Sequence, residues 1–345
     1  MFLRDCWYVA AWEHELAGEG LLARRIVGDR VVLYRRADGG VAALADACSH
    51  RLAPLSLGRR EGDRVRCMYH GLLFDGGGRC VEIPGQDRIA ERAHIRSYPV
   101  VERDRFIWIW MGDPALADPA AIPDCHWQAD PGWRSIPATM HYKADYRLIA
   151  DNLLDFSHLS FVHENSLGGS STIALTRPKI DLIDGGLRLT RWYLGEPDLA
   201  PYLRGLADLE GPIDRWHIYD WLTAGNVLSM DSGSAPAGTG APEGRRDPRA
   251  VQFHAVQVLT PEDEHNTHFF WTYGHDFNLD DPAFTRALAD RIQVGFEEDR
   301  TIIEAQQAVM LERPEAVMVD LAVDQAPMLA RSLMTRRLQA EAAGA

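Results

Sequence analysis

Two short stretches in the first hundred residues decide the fold of that part of the chain: Cys48-Ser49-His50 and, separated from it by 16 residues, Cys67-Met68-Tyr69-His70. Each stretch offers one thiolate and one imidazole, only two or three positions apart. Donor atoms this close in sequence can face a metal from one tight loop, and four of them complete a metal site. The sequence therefore predicts two loops that meet at a shared metal centre.

The mixture of donors favours an iron–sulfur cluster over zinc. Two cysteines can hold one iron of a [2Fe–2S] cluster while two histidines hold the other, which is Rieske ligation. A structural zinc accepts the same residues, but its usual spacing places two cysteines on one turn and two histidines on another. The other cysteines, Cys6, Cys80 and Cys125, have no partner at ligand spacing, so we expect them to be buried as small hydrophobic residues.

Strand patterns surround these loops. Residues 31–34 and 41–44 are apolar runs joined by Asp38-Gly39-Gly40, which predicts a β-hairpin because glycine adopts the φ > 0 turn positions without steric cost. Residues 75–78 form a second such turn, and residues 106–110 predict another strand. Three prolines between residues 113 and 123 then indicate a linker. We therefore expect an all-β first domain over residues 1–118 and a second domain over residues 119–345.

The second domain mixes helical and strand patterns. Residues 145–162 carry apolar side chains toward one side of a helix, and residues 283–312 form a long amphipathic helix. Residues 187–194 and 251–259 alternate as strands do. Residues 232–249, rich in glycine, proline and arginine, predict a long mobile loop that is either functional or a disordered surface insertion.

A second metal site is predicted from the segment between residues 152 and 163. Two histidines and one carboxylate form the facial triad that leaves positions open on mononuclear Fe(II). Asn152, Asp155 and His158 follow one another at steps of three, which places them on one stripe of a helix. His163 lies five residues after His158, ~140° around the helix axis, so both rings can reach one metal only if the helix ends or bulges between them. Either histidine could instead be a hydrogen-bonded core residue.

The carboxylate ligand has candidates at residues 155 and 297–304. Four apolar residues at helical spacing predict an inward stripe on the long helix: Ile292, Phe296, Ile303 and Met310. Asp299 falls on this stripe, and a buried acid is costly unless it is paired or bound to metal. A surface acid cluster explains Glu297 and Glu298. Asp155 could be a ligand, but we prefer a role as a partner of the His158 ring.

Composition limits the remaining possibilities. The 345 residues include 50 Asp and Glu against 36 Lys and Arg, a net charge of −14 that disfavours binding to nucleic acid or to anionic membranes. Hydrophobic residues make up 46%, as in globular proteins. The sequence has no run of ~18 consecutive apolar residues, so it predicts no membrane span. The start of the sequence has no signal-peptide pattern, and the cysteines are sparse, so we expect a cytoplasmic protein.

On these motifs the chain resembles the oxygenase components of Rieske non-heme iron oxygenases, specifically the branch of vanillate O-demethylase, dicamba monooxygenase and toluenesulfonate methyl-monooxygenase. The resemblance runs from Cys6-Trp7-Tyr8-Val9-Ala10 through Tyr69-His70-Gly71-Leu72 to Asp151-Asn152-Leu153-Leu154-Asp155 and Glu298-Asp299-Arg300. It implies an α+β protein: an N-terminal all-β Rieske [2Fe–2S] domain, then a helix-grip (START/Bet v 1-like) catalytic domain with a curved antiparallel sheet over a long helix.

The resemblance also implies roles for the candidate site residues. The ligands of the [2Fe–2S] cluster would be Cys48, Cys67, His50 and His70. The ligands of the mononuclear Fe(II) would be His158, His163 and Asp299. Asn152 would sit beside this iron. Asp155 would link His158 of one subunit to His70 of the next in a ring-shaped homotrimer, which gives electrons a path between the two metals.

The implied reaction is a monooxygenation of a methyl or methoxy group on a small anionic aromatic compound. One atom of O₂ would enter the substrate and the other would leave as water. A separate flavin and [2Fe–2S] reductase would supply electrons from NAD(P)H, because no nucleotide-binding glycine motif follows a strand here. A Rieske ring dioxygenase, an N-demethylase and a Rieske electron carrier are the alternatives.

Substrate contacts are expected from residues 226–275, which match the pocket-forming strands of the family. The candidates are Met230, His254, Gln257, Trp271 and Tyr273. His254 or an arginine of the 232–249 loop could meet a carboxylate or sulfonate.

Overall fold

The computed structural model describes residues 1–168 and 170–344, and the chain divides into two units. The first unit comprises Met1–Asp124 together with Thr260–Glu264. The second comprises Cys125–Leu259 and the residues from His265 onward.

The first unit is built from short antiparallel strands. They are β1 (Trp7–Trp12), β2 (Leu22–Ile26), β3 (Asp29–Arg35), β4 (Val41–Ala45), β5 (Arg59–Glu61), β6 (Arg64–Arg66), β7 (Leu73–Phe74), β8 (Cys80–Glu82), β9 (Val100–Arg103) and β10 (Phe106–Trp110). Three sheets result, with strand orders β1-β10-β9, β2-β3-β4 and β5-β6-β7-β8. The predicted hairpin is confirmed: β3 pairs with β4, and Gly39 adopts a φ of 85° in the turn. The segment 113–123 forms short 3₁₀ turns, each beginning at an aspartate that caps it.

A seven-stranded antiparallel sheet forms the second unit. Its strands are β11 (Ala138–Tyr142), β12 (Lys179–Ile183), β13 (Gly186–Glu196), β14 (Ile213–Leu222), β15 (Val227–Pro236), β16 (Val251–Pro261) and β17 (Thr267–His275), in the order β11-β17-β16-β15-β14-β13-β12. The helices are α1 (Tyr146–Leu154), α2 (Thr172–Leu175), α3 (Pro282–Glu312) and α4 (Gln325–Gly344). Together the units confirm the expected all-β region followed by an α+β region.

The long helix α3 packs on this sheet through the stripe predicted from its sequence. Ile292, Phe296, Asp299 and Ile303 are buried, whereas Met310, the last residue of the predicted stripe, is only half-buried. The Phe296 ring lies 5.0 Å, centroid to centroid, from the rings of both Phe269 and Trp271 on β17. Pro282 occupies the first helical position, where its missing N–H costs nothing. The sheet and α3 thus fix the inner face on which Asp299 lies.

Two sequence expectations need correction. The helix expected over 145–162 ends at Leu154, because Asp155 is extended. Its carboxylate accepts hydrogen bonds from the N–H and hydroxyl of Ser157 and so caps a separate 3₁₀ turn over Phe156–Ser160. Asn152, Asp155 and His158 therefore do not share one helical stripe. The loop expected over 232–249 is shorter, because residues 232–236 complete strand β15.

Among the described residues, no helix combines the length and the apolar character that a bilayer span requires. All five cysteines are buried, as expected for Cys6, Cys80 and Cys125.

Candidate metal centres and active-site pocket

The two loops of the cluster motif fold in the same way. The carbonyl of Cys48 accepts a hydrogen bond from the N–H of Leu52, and the carbonyl of Cys67 accepts one from the N–H of Gly71, both at 2.9 Å. Leu52 and Gly71 both adopt positive φ, at 57° and 80°. Each cysteine thus opens a turn that closes four residues later at a left-handed residue. Glycine accommodates that conformation without strain, whereas leucine does so at some cost.

These turns bring the four predicted cluster residues together in two pairs, one of thiols and one of imidazole rings. Cys48 and Cys67 are each 1% exposed, and their thiols interact. Burial, together with the neighbouring Cys67 thiol, raises the pKa of Cys48 to about 11. The rings of His50 and His70 are exposed, with centroids 4.5 Å apart. A buried Cys48 thiol that resists ionisation on its own, with a second buried thiol next to it and a pair of exposed imidazoles in the same two loops, fits a [2Fe–2S] cluster, whose positive iron would stabilise the thiolates.

The second predicted metal site is also assembled. One ligand atom each of His158, His163 and Asp299 lies within 4.8 Å of the others. The Oδ1 atom of Asp299 is 3.0 Å from Nε2 of His163 and 3.5 Å from Nε2 of His158. Nδ2 of Asn152 donates to the same Oδ1 at 2.9 Å. Two histidines and one carboxylate that converge from one side are the donor set of the facial triad, so the residues fit a mononuclear Fe(II).

The outward ring nitrogens of both histidines are held by acceptors. Nδ1–H of His158 donates to the main-chain carbonyl of Asp155, and Nδ1–H of His163 donates to Oε2 of Glu298 at 2.7 Å. Because the proton lies on Nδ1, the Nε2 lone pair of each ring faces the common centre. The structure therefore prepares both rings for metal binding.

Burial and charge act differently on the two histidines. Burial lowers the pKa of His158, although the charge of Asp299 opposes this shift. Burial alone would also lower the pKa of His163, but hydrogen bonds and charges from Asp299 and Glu298 outweigh it and raise that pKa. The two histidines differ because His163 has a second carboxylate neighbour, Glu298, in addition to Asp299.

Asp155 contacts His158 through its main chain rather than through its carboxylate. The carboxylate instead accepts two hydrogen bonds from Ser157 and lies 3.7 Å from the guanidinium of Arg191. The sequence predicts Asp155 as a partner of the His158 ring, and the structure provides this contact through the main-chain carbonyl of Asp155. The break at Asp155 turns the carbonyl toward the ring and leaves the carboxylate about one-fifth exposed.

Glu298 is a site residue that the sequence interpretation missed. The sequence pattern places Glu298 in a surface acid cluster, yet it accepts hydrogen bonds from both His163 and Ser166. The sequence carries no signal for this contact, because neighbouring residues on a helix point ~100° apart and only the fold brings the turn around His163 against α3. Glu297 does behave as a surface acid and pairs with Arg300.

A pocket opens next to the histidines, with a cavity volume of about 60 Å³. The predicted residues that line it are Asn152, His158, His163, Met230, Gln257, Tyr273 and Asp299. Most of the remaining wall is apolar: Leu153, Phe156, Leu159, Leu167, Ile292 and Phe296. Such a cavity suits a flat apolar ring with few polar groups.

Two of the predicted substrate contacts do not reach this pocket in the described part of the chain. His254 lies on the opposite face of β16 from Gln257, where its ring centroid is 4.2 Å from that of Trp133. Trp271 is buried against Phe296 on α3. His254 points away from the pocket because side chains alternate between the two faces of a strand. Trp271 does not reach the pocket because it packs against the helix α3.

The loop arginines are also directed elsewhere. Arg246 pairs with Asp276, and Arg249 pairs with Asp247. Arg245 lines a separate surface depression. Apart from His158 and His163, the basic residues that line the pocket in the described part of the chain are Arg215 and His217, both on β14. An arginine and a histidine two positions apart on the apolar face of a strand were the available signal.

Two family models match the chain. Residues 6–99 match the Rieske [2Fe–2S] domain, and residues 142–340 match the vanillate O-demethylase oxygenase C-terminal domain. The second match covers more than half of the chain.

Relatives match over most or all of the chain. The iron–sulfur subunit of a toluene-4-sulfonate monooxygenase system from Comamonas testosteroni is 49% identical over 347 residues, which cover 100% of this chain and 99% of that protein. The oxygenase component of dicamba O-demethylase from Stenotrophomonas maltophilia is 39% identical over 311 residues, 88% of each chain.

Solved structures agree with these relatives. Dicamba monooxygenase bound to 3,6-dichlorosalicylic acid gives a TM-score of 0.90 at 34% identity and covers 99% of both chains. A structure of dicamba monooxygenase with non-heme iron and dicamba gives 0.81 at 34% identity, covering 100% of this chain and 99% of that one.

Proposed function

The chain belongs to the Rieske oxygenases with a vanillate O-demethylase-type catalytic domain, and we propose that it oxygenates a methyl or methoxy group of a small anionic aromatic compound. As an oxygenase component of a Rieske monooxygenase system, it uses a [2Fe–2S] cluster and a mononuclear iron. When bound, the cluster supplies electrons and the iron activates O₂. The protein residues bind, orient and shield the substrate.

One observation supports this proposal more than any other. The atoms suited to hold iron lie on the wall of a largely apolar pocket, so a bound ring is placed directly beside them. We propose His158, His163 and Asp299 as the iron ligands, with Asn152 beside them. We propose that Cys48, Cys67, His50 and His70 hold the cluster.

The pocket residues act before any chemistry takes place. Phe156 and Phe296 face an aromatic ring from the pocket wall and exclude water from it. Glu298 and the Asp155 carbonyl hold the histidine rings in orientation. A substrate ring fixed in this way presents one methyl or methoxy carbon to the iron ligands, and proximity accounts for the choice of carbon.

We propose further features that the family resemblance supports. The protein would assemble as a cytoplasmic homotrimer, with residues 1–118 as the cluster domain and residues 119–345 as the catalytic domain. A flavin and [2Fe–2S] reductase would supply electrons from NAD(P)H. Asp155 would carry electrons from His70 of a neighbouring subunit, in keeping with the exposed His70 ring and with a carboxylate that His158 does not occupy.

The two possible reactions give different products. Oxygenation of an aryl methyl ether consumes O₂, two electrons and two protons, and yields a phenol, formaldehyde and water. Oxygenation of an aryl methyl group consumes the same reactants and yields a benzylic alcohol and water. The relative that acts in a toluene-4-sulfonate system supports the second reaction, and the dicamba O-demethylase supports the first.

A single-turnover experiment tests the proposal. The purified holoenzyme is reduced chemically and mixed with O₂ and one member of a panel: 4-toluenesulfonate, 4-methylbenzoate, 4-methoxybenzoate or vanillate. We expect formaldehyde or a benzylic alcohol from at least one acid, in an amount that does not exceed the enzyme iron. A cis-dihydrodiol in place of these products would indicate a ring dioxygenase. Absence of every oxygenated product would contradict the proposal.

A further inference from the structure

A buried arginine lies on the wall of the pocket without an acidic partner. Arg215 is 5% exposed, and its guanidinium donates to the main-chain carbonyls of Leu167 at 3.0 Å and Gly168 at 3.1 Å. Within the described residues, no carboxylate lies at ion-pairing distance from it. A charge held away from water is costly unless an opposite charge compensates it. An anion bound in the pocket would supply this opposite charge.

His217 provides a second, uncharged donor beside this arginine. Nη2 of Arg215 lies 3.3 Å from Nε2 of His217, and a guanidinium can only donate, so Nε2 is the acceptor and the ring proton lies on Nδ1. Burial and the charges of Arg215 and Arg191 hold the pKa of His217 well below its usual range, so the ring is neutral. Its buried Nδ1–H has no hydrogen-bond partner among the described residues.

The neighbouring arginine differs from Arg215 in both respects. Arg191 lies directly across from His217 on β13, but it has Asp155 at 3.7 Å and does not line the pocket. Arg191 therefore adds positive electrostatic potential near the pocket but offers no contact to a molecule bound in it. The pocket wall around Arg215 and His217 is therefore electropositive, in a chain whose net charge is −14.

We propose that Arg215 and His217 form the subsite that receives the anionic group of the substrate. The guanidinium supplies the charge and uses the donors that the two carbonyls and His217 leave available, while Nδ1–H of His217 donates to a second oxygen. The shared chemistry is an aryl oxyanion, either a sulfonate or a carboxylate. This inference rests on the proposed function, because the same pocket must hold the ring whose methyl or methoxy group reacts.

The alternative is that Arg215 only braces the 167–168 carbonyls. If Arg215 only holds these carbonyls in place, its loss should weaken the binding of charged and neutral ligands equally. If it forms an anion subsite, its loss should weaken the binding of anions alone. Arg291 offers a matched control, because it also donates to two main-chain carbonyls, of Tyr202 and Arg204, but does not line the pocket.

Calorimetric binding to the anaerobic, iron-loaded holoenzyme separates these alternatives without turnover. The probes are 4-toluenesulfonate, 4-methylbenzoate and the neutral isostere 4-toluenesulfonamide, and the proteins are wild type, Arg215→Gln, Arg215→Lys, His217→Phe and Arg291→Gln. We expect Arg215→Gln to weaken binding of an anion by ~10–100-fold, the range for a hydrogen bond to a charged group. Binding of the sulfonamide should change by less than ~3-fold.

The other variants refine the assignment. Arg215→Lys should restore part of the preference for the anion, His217→Phe should weaken anion binding by less than Arg215→Gln does, and Arg291→Gln should bind all three probes as wild type does. The sulfonate and carboxylate arms show which oxyanion the subsite prefers. Equal losses for the anions and the sulfonamide in Arg215→Gln would overturn the inference.

Two further outcomes keep the test decisive. If Arg215→Gln does not fold, the wild type alone decides, because it must bind one anion at least ~10-fold more tightly than the sulfonamide. Anion binding through Arg215 without any oxygenated product would refute the proposed function and leave the subsite standing. Oxygenation with unchanged charge preference in Arg215→Gln would refute the subsite and leave the proposed function standing.

Discussion

The two metal sites of this chain are built in opposite ways. The proposed cluster residues come from two short loops of one unit, each closed by its own cysteine carbonyl. The proposed iron residues come from a turn after α1 and from the middle of α3, and Asp299 follows His163 by 136 residues. Local turns shape the first site, whereas the packing of a long helix on a sheet shapes the second.

The two sites also differ in how deeply their residues are buried. In the cluster loops only the two thiols are buried, and both imidazoles are exposed. At the iron site His163 and Asp299 are buried at 1% and 4% exposure. A site with exposed rings can exchange electrons with another protein, whereas a buried site beside a pocket can exclude water from a substrate. The two arrangements therefore divide the work of an oxygenase component.

The largest effect should follow from removal of a buried thiol. Cys67→Ala deprives one cluster iron of a ligand, so we expect loss of the visible absorption and of the cluster iron, with no detectable reductase-driven turnover. The mononuclear site lies in the other unit and should keep its iron. Absorption spectroscopy and iron analysis measure both effects.

Cys80→Ala is the matched control for this change. Cys80 is buried in the same hydrophobic core but has no ligand role, so its variant should keep the spectrum. An unchanged spectrum in Cys67→Ala would refute the cluster assignment.

Asp299→Ala should produce the converse result. Without the carboxylate on the inner face of α3, the two histidines lose the ligand that completes their site, and we expect a loss of mononuclear iron and of turnover greater than ~100-fold, above the range for partners of ligands. The cluster spectrum should stay unchanged. Glu297→Ala, two positions away on the surface of α3, should retain both metals. Full iron content and turnover in Asp299→Ala would show that another residue holds the metal.

The contrast also explains which features were predictable from sequence. The cluster loops were predictable because their donors are two or three residues apart, so no long-range packing is needed to place them. Asp299 was predictable because an acid on an apolar helical stripe is costly without a partner. Glu298 was not predictable, because only the fold brings the turn around His163 against this residue.

The break in the helix at Asp155 and the position of Arg215 required the structure for a different reason. Asp155 lies in a pattern compatible with helix, and the hydrogen bonds to Ser157 that interrupt it are too local to alter hydrophobic periodicity. Arg215 lies on an inward strand face, where sequence patterns predict apolar residues. Its burial follows from carbonyl partners that residues 167–168 supply from outside the sheet.

Asp155→Asn tests whether the two sites cooperate through this residue. The bond to His158 comes from the main-chain carbonyl, so the substitution should leave the ring orientation and both metals intact. It removes the charge opposite Arg191 and the proposed electron path, and we expect reductase-driven turnover to fall by about 100-fold, the upper end for outer-shell changes. Steady-state turnover with iron analysis measures this. A fully active variant would rule out the bridging role.

Glu298→Gln should have a smaller effect that is confined to the iron site. The amide can still accept the hydrogen bond from His163 but carries no charge, so the ring becomes a weaker donor to metal. We expect iron affinity to fall by ~10-fold, the lower end for partners of ligands. Competition with a chelator measures the affinity. Glu297→Gln serves as the control on the same helix, and equal affinities in both variants would assign Glu298 to the surface cluster after all.

The smallest effect should come from the start of α3. Asp281 caps this helix by accepting hydrogen bonds from the N–H groups of Ala283 and Phe284. Asp281→Ala should lower the free energy of unfolding by ~1 kcal/mol, a fall in melting temperature of ~2–4 °C for a unit of this size. Asp299 lies 18 residues further along α3, ~27 Å at 1.5 Å per residue, so iron affinity should not change. Calorimetry and the chelator assay measure the two quantities separately. A parallel loss of iron would mean that the site depends on the whole helix, and not only on the turns around Asp299.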